Sequence, residues 1–490
     1  MARSLVSFVQ IKNLFSCYWA PCQGSIPSGH ALSSWPWSIC KQSLNRKGTC
    51  SSHYILNLGT WVQCSRQFTV TRFHHRKESS FKNPSPAMET EMIKRTALIE
   101  NGGGEASCDG PVPSDFLLQY HPADWMKQLQ LIPKYRVKLI HGVTPIQRWY
   151  LPNVPANFEI HIKRDDLTGC ELSGNKARKL EFLLADAINQ GCTSVITCGS
   201  SQSNHCRATA IATRQLGLEP YLLLRSPVSD PNEVVCTANM FLNRLIGTHV
   251  YLLPKKSQYS TDIKPRMDQL VQKIKEETGE SAYPIPIGGS TAIGLYGYLE
   301  GFRELLDQGI ADQFTDIAIA CGSSGSTAGL ALANYLTGSR LKVHGFIVSD
   351  DSEFHSKQIN DVLREIDVKD SNGKVLQSED IVHLIDGVKG RGYGLSTQEE
   401  LDLVGEVCRR TGVIIEPVYT GKSVHHLLRL TKEQPQLFKG NKILFIHTGG
   451  LFGLFDGRMD ETVKQMGRDR NHIHEWMELS DQAPDLKLLL

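Results

Sequence analysis

Residues 1–77 contain no aspartate or glutamate, while nine lysines and arginines are spread through them. Serine is frequent in the same stretch. An acid-free, basic, serine-rich start is the composition of an organelle transit peptide. A secretory signal fits less well, because Gln10, Lys12 and Asn13 break the early apolar stretch. A mitochondrial address is the expectation, with a plastid one as the alternative; composition does not separate them, and a basic tail with no address is the bland reading. The whole chain carries only +2. The nine positive charges of the start therefore leave about −7 on the rest, so nothing global points to nucleic acid.

Other absences narrow the field further. No run of 18 apolar residues occurs, so no membrane span is expected. The 13 cysteines are odd in number and form no CxxC pair, which argues against a disulfide framework and against a zinc site. Cys192, Cys198 and Cys321 sit in apolar, strand-like surroundings and read as reduced core thiols. His472 and His474 lie on a polar tail and read as solvated, so no metal is expected. The stretch EPVYTGKS (416–423) ends like a nucleotide-binding loop, but Glu416 stands where a Walker loop needs its first glycine. No internal repeat is visible.

What is present is a chain of 490 residues, 40% hydrophobic and 21% charged, long enough for one large domain or two ordinary ones. Residues 78–112 read as a linker, with NPSP at 83–86 and NGGGEASCDG at 101–110. From about residue 158, short apolar runs alternate with helical stretches. FEIHIKRD reads as a strand. NKARKLEFLLADAINQG reads as a helix, with Leu180, Leu183, Leu184, Ala187 and Ile188 at helical spacing and Gly191 as the stop. TSVITCG, PYLLLRS, THVYLLP, LKVHGFIVSD and NKILFIHTGG read as strands, and TDIAIACGSSGSTAGLALANYLTG as strand, turn and helix. This alternation implies a parallel sheet covered by helices. Ligands then bind beyond the carboxyl ends of the strands.

Chemistry-bearing residues stand at those turns. Lys176 in SGNKARK opens a helix; its amine becomes a nucleophile toward an aldehyde if desolvation lowers its pKa. The alternative is a surface lysine. In SSQSNHC, Ser203, Asn204 and His205 follow a strand and are placed to reach a ligand, the alternative being a helix cap. In CGSSGSTAG, Gly322 and Gly325 let the backbone bend so that successive N–H groups meet in one concavity ahead of a helix. Ser323, Ser324, Ser326 and Thr327 add hydroxyls, which makes an anion cradle.

Together, KRDDLTG (163–169), GNKARKLE (174–181), SSQSNH (200–205), GSSGSTAG (322–329), GYGLST (392–397), EPVYTGKS (416–423) and HTGG (447–450) resemble the fold type II, tryptophan-synthase-β-like enzymes of pyridoxal phosphate. More closely, they are similar to the D-cysteine desulfhydrase and 1-aminocyclopropane-1-carboxylate (ACC) deaminase family, on its plant-type organellar side. The likeness covers roughly 115–465. It implies an α/β fold of two three-layer domains with mainly parallel sheets: a large one of 113–178 plus 298–465, and a small inserted one of 179–297, with 466–490 as a tail. The cofactor is expected in the cleft between them. The resemblance also implies a homodimer, a small amino-acid substrate and these roles. Lys176 binds pyridoxal 5'-phosphate covalently. Lys179 and Gly322–Thr327 hold its phosphate. Asn204 meets the ring's phenolic oxygen, and Thr420 faces the ring nitrogen. Ser203, Asn204, His205 and Thr448 meet the substrate. Tyr393 and Tyr419 line the substrate side and move protons.

Two positions choose between the family's reactions. In the deaminase pattern a glutamate stands at position 420 and protonates the ring nitrogen, and a leucine stands at 448. This chain has Thr420 and Thr448. A neutral hydroxyl makes a weaker electron sink, which suffices for expelling sulfide from Cβ but not for opening a cyclopropane. The resemblance therefore implies a lyase that converts D-cysteine to pyruvate, ammonia and hydrogen sulfide, with Lys176 as the base at Cα. The alternatives are ACC deaminase, a serine dehydratase or racemase, and a silent relative that only binds amino acid or cofactor. The preference for the D isomer comes from the family alone.

Overall fold

The structure, a computed structural model, describes residues 112–470. The transit-peptide stretch, the linker up to residue 111, and His472 and His474 lie outside the described residues. β1 (Leu118–Gln119) and β2 (Tyr135–Arg136) form a small antiparallel pair. β3 (Ile146–Arg148) and β4 (Glu159–Lys163) belong to a six-stranded sheet completed by strands far along the chain. The segment between them builds a second sheet from β5 (Ser194–Ser200), β6 (Glu219–Ser226), β7 (His249–Pro254) and β8 (Ala282–Ile285). The chain then returns to the first sheet with β9 (Asp316–Cys321), β10 (Lys342–Ile347), β11 (His383–Ile385) and β12 (Lys442–Ile446).

The four-stranded sheet runs β7-β6-β5-β8, all parallel. The six-stranded sheet runs β11-β10-β9-β12-β4-β3 and is parallel except for β3, which pairs antiparallel with β4 at the edge. Both sheets carry helices on both faces. On the larger sheet, one apolar layer holds Leu295, Leu299 and Leu332, and the opposite layer holds Val404, Val424 and Leu427. On the smaller sheet the two layers hold Leu180, Leu184 and Ile211 on one side and Met267 and Ile274 on the other. Each fully buried side chain of this kind is worth about 1.5–3 kcal/mol.

Six helices position the site: α1 (Lys176–Asn189), α2 (Asn204–Gln215), α3 (Ala292–Asp307), α4 (Gly325–Leu336), α5 (Ser352–Ile366) and α6 (Thr420–Glu433). The sequence pattern of α1 suggested one apolar stripe. In the structure the helix is buried almost all round, because Phe182 on its other side enters the core of the large sheet. Its charged residues therefore need partners. Arg178 finds Asp165 (2.8 Å) and Glu304 (3.0 Å), and Glu181 finds Arg136 and the N–H groups of Leu139 and Ile140. α1 crosses α3 at Gly297, where a Cβ would overlap the Arg178 carbonyl. The divisions drawn at 178/179 and 297/298 fall inside these two crossing helices. The helix Asp460–Arg470 likewise runs past residue 465, where the resemblance ends.

Candidate active site

The turns that follow β5, β6, β9, β10 and β12 converge on one cavity of about 180 Å³. Both sheets thus present their carboxyl ends to the same space, which is where parallel sheets bind ligands. Its lining includes Lys176, Ser203, Asn204, His205, Gly322, Ser323, Ser324, Ser326, Thr327, Tyr393, Tyr419 and Thr448. These residues span more than 270 positions of sequence.

Lys176 is the first residue of α1. Gly174, just before it, has φ +112°, and a Cβ there would lie 2.7 Å from the Thr448 carbonyl oxygen. Glycine is therefore needed both for the left-handed backbone and for the close approach. The Asn175 N–H donates to that same carbonyl (3.1 Å), and the Asn175 amide donates to Ser326 Oγ (2.9 Å). Burial pushes the Lys176 amine down to about 8. Lys179, one turn on, is pushed well below the usual lysine range by burial and by the charge of Lys176. Its amine donates to the Gly288 carbonyl and does not line the cavity; it stands behind Lys176 rather than in the cradle.

The loop after β9 leads into α4. Ser324 has φ +61°, and the Gly325 N–H turns back to the Ser323 carbonyl (2.7 Å) and to Ser290 Oγ (3.2 Å). Gly325 shapes the bend but does not line the cavity. The N–H groups of Ser326 and Thr327 open the helix and have no acceptor among the described residues. Thr327 Oγ1 is buried with no partner. Unsatisfied buried donors at a helix start fit a phosphate.

Across the cavity, Ser203 caps α2 by accepting from the Cys206 N–H (3.2 Å). It is thus both the helix cap and a lining residue. Asn204 Oδ1 accepts from Asn239 (2.9 Å). His205 Nε2 meets Thr197 Oγ1 (3.0 Å), while its Nδ1 is unpartnered. Thr197 donates to the Ile285 carbonyl (2.8 Å), so His205 is the donor to Thr197. Burial, Lys176 and Lys179 keep that imidazole neutral.

The Tyr393 and Tyr419 hydroxyls are 2.5 Å apart. Burial raises both; Tyr419 stands well above the usual tyrosine range, and Tyr393 is pulled back by Tyr419, Ser200 and Arg225. Thr420, like Lys179 and Gly325, is an expected residue that stays out of the cavity. It is fully buried and does not line the cavity; its hydroxyl accepts from the Glu416 N–H (2.9 Å) and faces the Glu416 carbonyl and carboxylate (both 3.2 Å). The Glu416 carboxylate in turn accepts the N–H groups of Val418, Tyr419 and Thr420 at the start of α6. EPVYTGKS is thus a helix-start carboxylate clamp, and Lys422 of its GKS bonds Glu400 and two carbonyls away from the cavity.

Arg225, Ser200 and Asp350 also line the cavity, and sequence reasoning missed them. Arg225 and Ser200 are register partners at the ends of β6 and β5, a pairing that no local motif displays.

Comparison with known proteins meets this geometry. Residues 137–449 match the family model described as pyridoxal-phosphate dependent enzyme. An Arabidopsis thaliana protein named bifunctional D-cysteine desulfhydrase/1-aminocyclopropane-1-carboxylate deaminase, mitochondrial, is 41% identical over 386 residues, 76% of this chain and 92% of that one. A Yersinia enterocolitica D-cysteine desulfhydrase is 34% identical over 65% of this chain and 95% of its own. The crystal structure of an ACC deaminase homologue, 33% identical, superposes with a TM-score of 0.60 over 70% of this chain and 99% of that one. A desolvated lysine amine beside an unsatisfied anion cradle is what the aldehyde and the phosphate of one small molecule require, and this chain belongs to the pyridoxal-phosphate-dependent enzymes.

Proposed function

We propose that this chain catalyses β-elimination of D-cysteine to pyruvate, ammonia and hydrogen sulfide, and that it does so in the mitochondrion. The relatives' names and the acid-free start support this reading. So does the cavity, which joins Lys176 to a pair of tyrosine hydroxyls. Pyridoxal phosphate, when bound, supplies the electron sink that lets a proton leave Cα. Lys176 Nζ would hold the cofactor's aldehyde and would be the base at Cα; a pKa near 8 suits proton exchange near neutral pH. Ser326, Thr327 and their loop hold the phosphate, and Asn204 the phenolic oxygen. Ser203, Asn204, His205 and Thr448 receive the substrate. The paired Tyr393 and Tyr419 hydroxyls, either of which can donate to the other, offer a phenolic proton on the substrate side to meet the departing sulfur. We place the joint between the two sheets at the α1–α3 crossing, and family likeness implies a homodimer, which light scattering checks.

The observation that carries sulfide elimination over cyclopropane opening is the pair of threonines at 420 and 448, where the deaminase pattern has glutamate and leucine. Thr448 lines the cavity, and the Thr420 hydroxyl is held by Glu416 behind it. ACC deaminase activity is the second reading, favoured by the A. thaliana relative's double name. The test is to offer D-cysteine, L-cysteine, D-serine and ACC separately and measure keto acid and sulfide. Pyruvate with sulfide from D-cysteine, and no 2-oxobutanoate from ACC, is expected. Keto acid from ACC alone would overturn the assignment.

A further inference from the structure

Behind the loop that follows β9 lies a histidine the reaction does not use. His355, the fourth residue of α5, is 0% exposed. Its two ring nitrogens reach the loop by two routes. Nε2 lies 3.2 Å from Ser349 Oγ, and Ser349 donates to the Gly322 carbonyl at 2.8 Å. A carbonyl only accepts, so the single Ser349 proton is used there and His355 Nε2 is the donor. The neutral ring then leaves Nδ1 bare. Ser324 Oγ stands 2.7 Å from it and donates, with Gln358 Oε1 (3.2 Å) as the weaker second acceptor. Burial lowers the His355 pKa and keeps the ring neutral, against the pull of Asp350, Asp351 and Asp386.

Ser324 is the residue with a left-handed backbone, φ +61° and ψ −34°, a conformation serine rarely adopts without support from its surroundings. The bend there turns the free N–H groups of Ser326 and Thr327 into the cavity. One ring therefore fixes the loop at two points: at Ser324 directly, and at Gly322 through Ser349.

We propose that His355 is a positioning residue for the cofactor's phosphate, clamping the 322–327 loop from behind so that its N–H groups are preset to receive the anion. The inference rests on the assignment of that loop to the phosphate. It acts on the phosphate alone and not on the aldehyde or the ring.

The test compares two aldehydes on cofactor-stripped full chain: pyridoxal phosphate and pyridoxal, which lacks the phosphate. Binding is followed by absorbance and by quenching of protein fluorescence. Wild type is expected to prefer pyridoxal phosphate strongly. His355→Leu, which removes both arms, is expected to cut that preference about tenfold, the scale of one or two buried hydrogen bonds, with pyridoxal affinity unchanged. His355→Asn, whose amide oxygen can take the Nδ1 role, is expected to restore much of it. Equal loss for both aldehydes would mean a merely structural residue and would overturn the proposal, as would an unchanged preference. A wild type with no preference would instead sink the phosphate assignment itself. If His355→Leu does not fold by circular dichroism, Ser349→Ala, which cuts the arm to the Gly322 carbonyl, decides: selective loss supports the clamp, and equal or no loss refutes it.

Discussion

Arg178 and Lys176 stand two residues apart on α1, and the protein treats their charges in opposite ways. Burial works against both cations. Arg178 is surrounded by Asp165 and Glu304, with Thr144 and Tyr298 completing the network, and its pKa is held well above normal. Lys176 and Lys179 face the cavity side, form no ion pair among the described residues, and are pushed down instead. The same helix thus has a face where charge is kept and a face where charge is given up. What separates them is the placement of two carboxylates, since desolvation is common to both. The kept charge anchors the helix, and the surrendered one leaves an amine that loses its proton more readily than an ordinary lysine.

The strongest way to break this comparison is to remove the reactive amine. Lys176→Ala is expected to lower turnover about 10⁴-fold or more, with the unfolding midpoint nearly unchanged, as read by keto acid release and by denaturant titration. Arg178→Met should do the reverse. It leaves Asp165 buried without its partner and is expected to cost about 3–5 kcal/mol of stability, seen as a lower urea midpoint, while the folded fraction keeps its turnover. Tyr393→Phe removes one hydroxyl of the tyrosine pair and is expected to lower kcat about 100-fold, with pyridoxal phosphate absorbance unaltered. The smallest effect sharpens the comparison most. Capture of pyridoxal phosphate by stripped protein needs the neutral amine, and a lowered pKa means that form is present above about 8. The capture rate should rise about tenfold from pH 7 to 9 and then level off. A lysine kept charged as Arg178 is, or one with its ordinary pKa, would show a rate still climbing at pH 10.

Lys176, the 322–327 loop and the strand-to-helix turns were legible because each is local: an apolar run, a small-residue turn and a helical stripe within some twenty residues. The parallel sheets followed from the same alternation. The antiparallel edge strand β3 was not legible, being three residues long beside Pro145. Arg225 and Asp350 were missed because register and sheet order, not neighbours in sequence, bring them to the cavity. Thr420 was assigned to the ring nitrogen by analogy, and the cavity does not include it, because Glu416 occupies its hydroxyl. Lys179 and Gly325 lie just behind the wall for the same kind of reason, each engaged by a main-chain partner.

Gly174 and Gly449 touch main chain to main chain, and Asn175 hangs from the Thr448 carbonyl. Residues 176 and 448 are therefore parts of one piece, though a ribosome makes them far apart in time. At about 5–20 residues per second, roughly 14–54 s separate the two. During that interval the lysine exists without the carbonyl that sets its helix. A chain truncated before HTGG would leave the ribosome mostly made, yet without the Thr448 carbonyl and the Gly449 main chain that seat the start of α1.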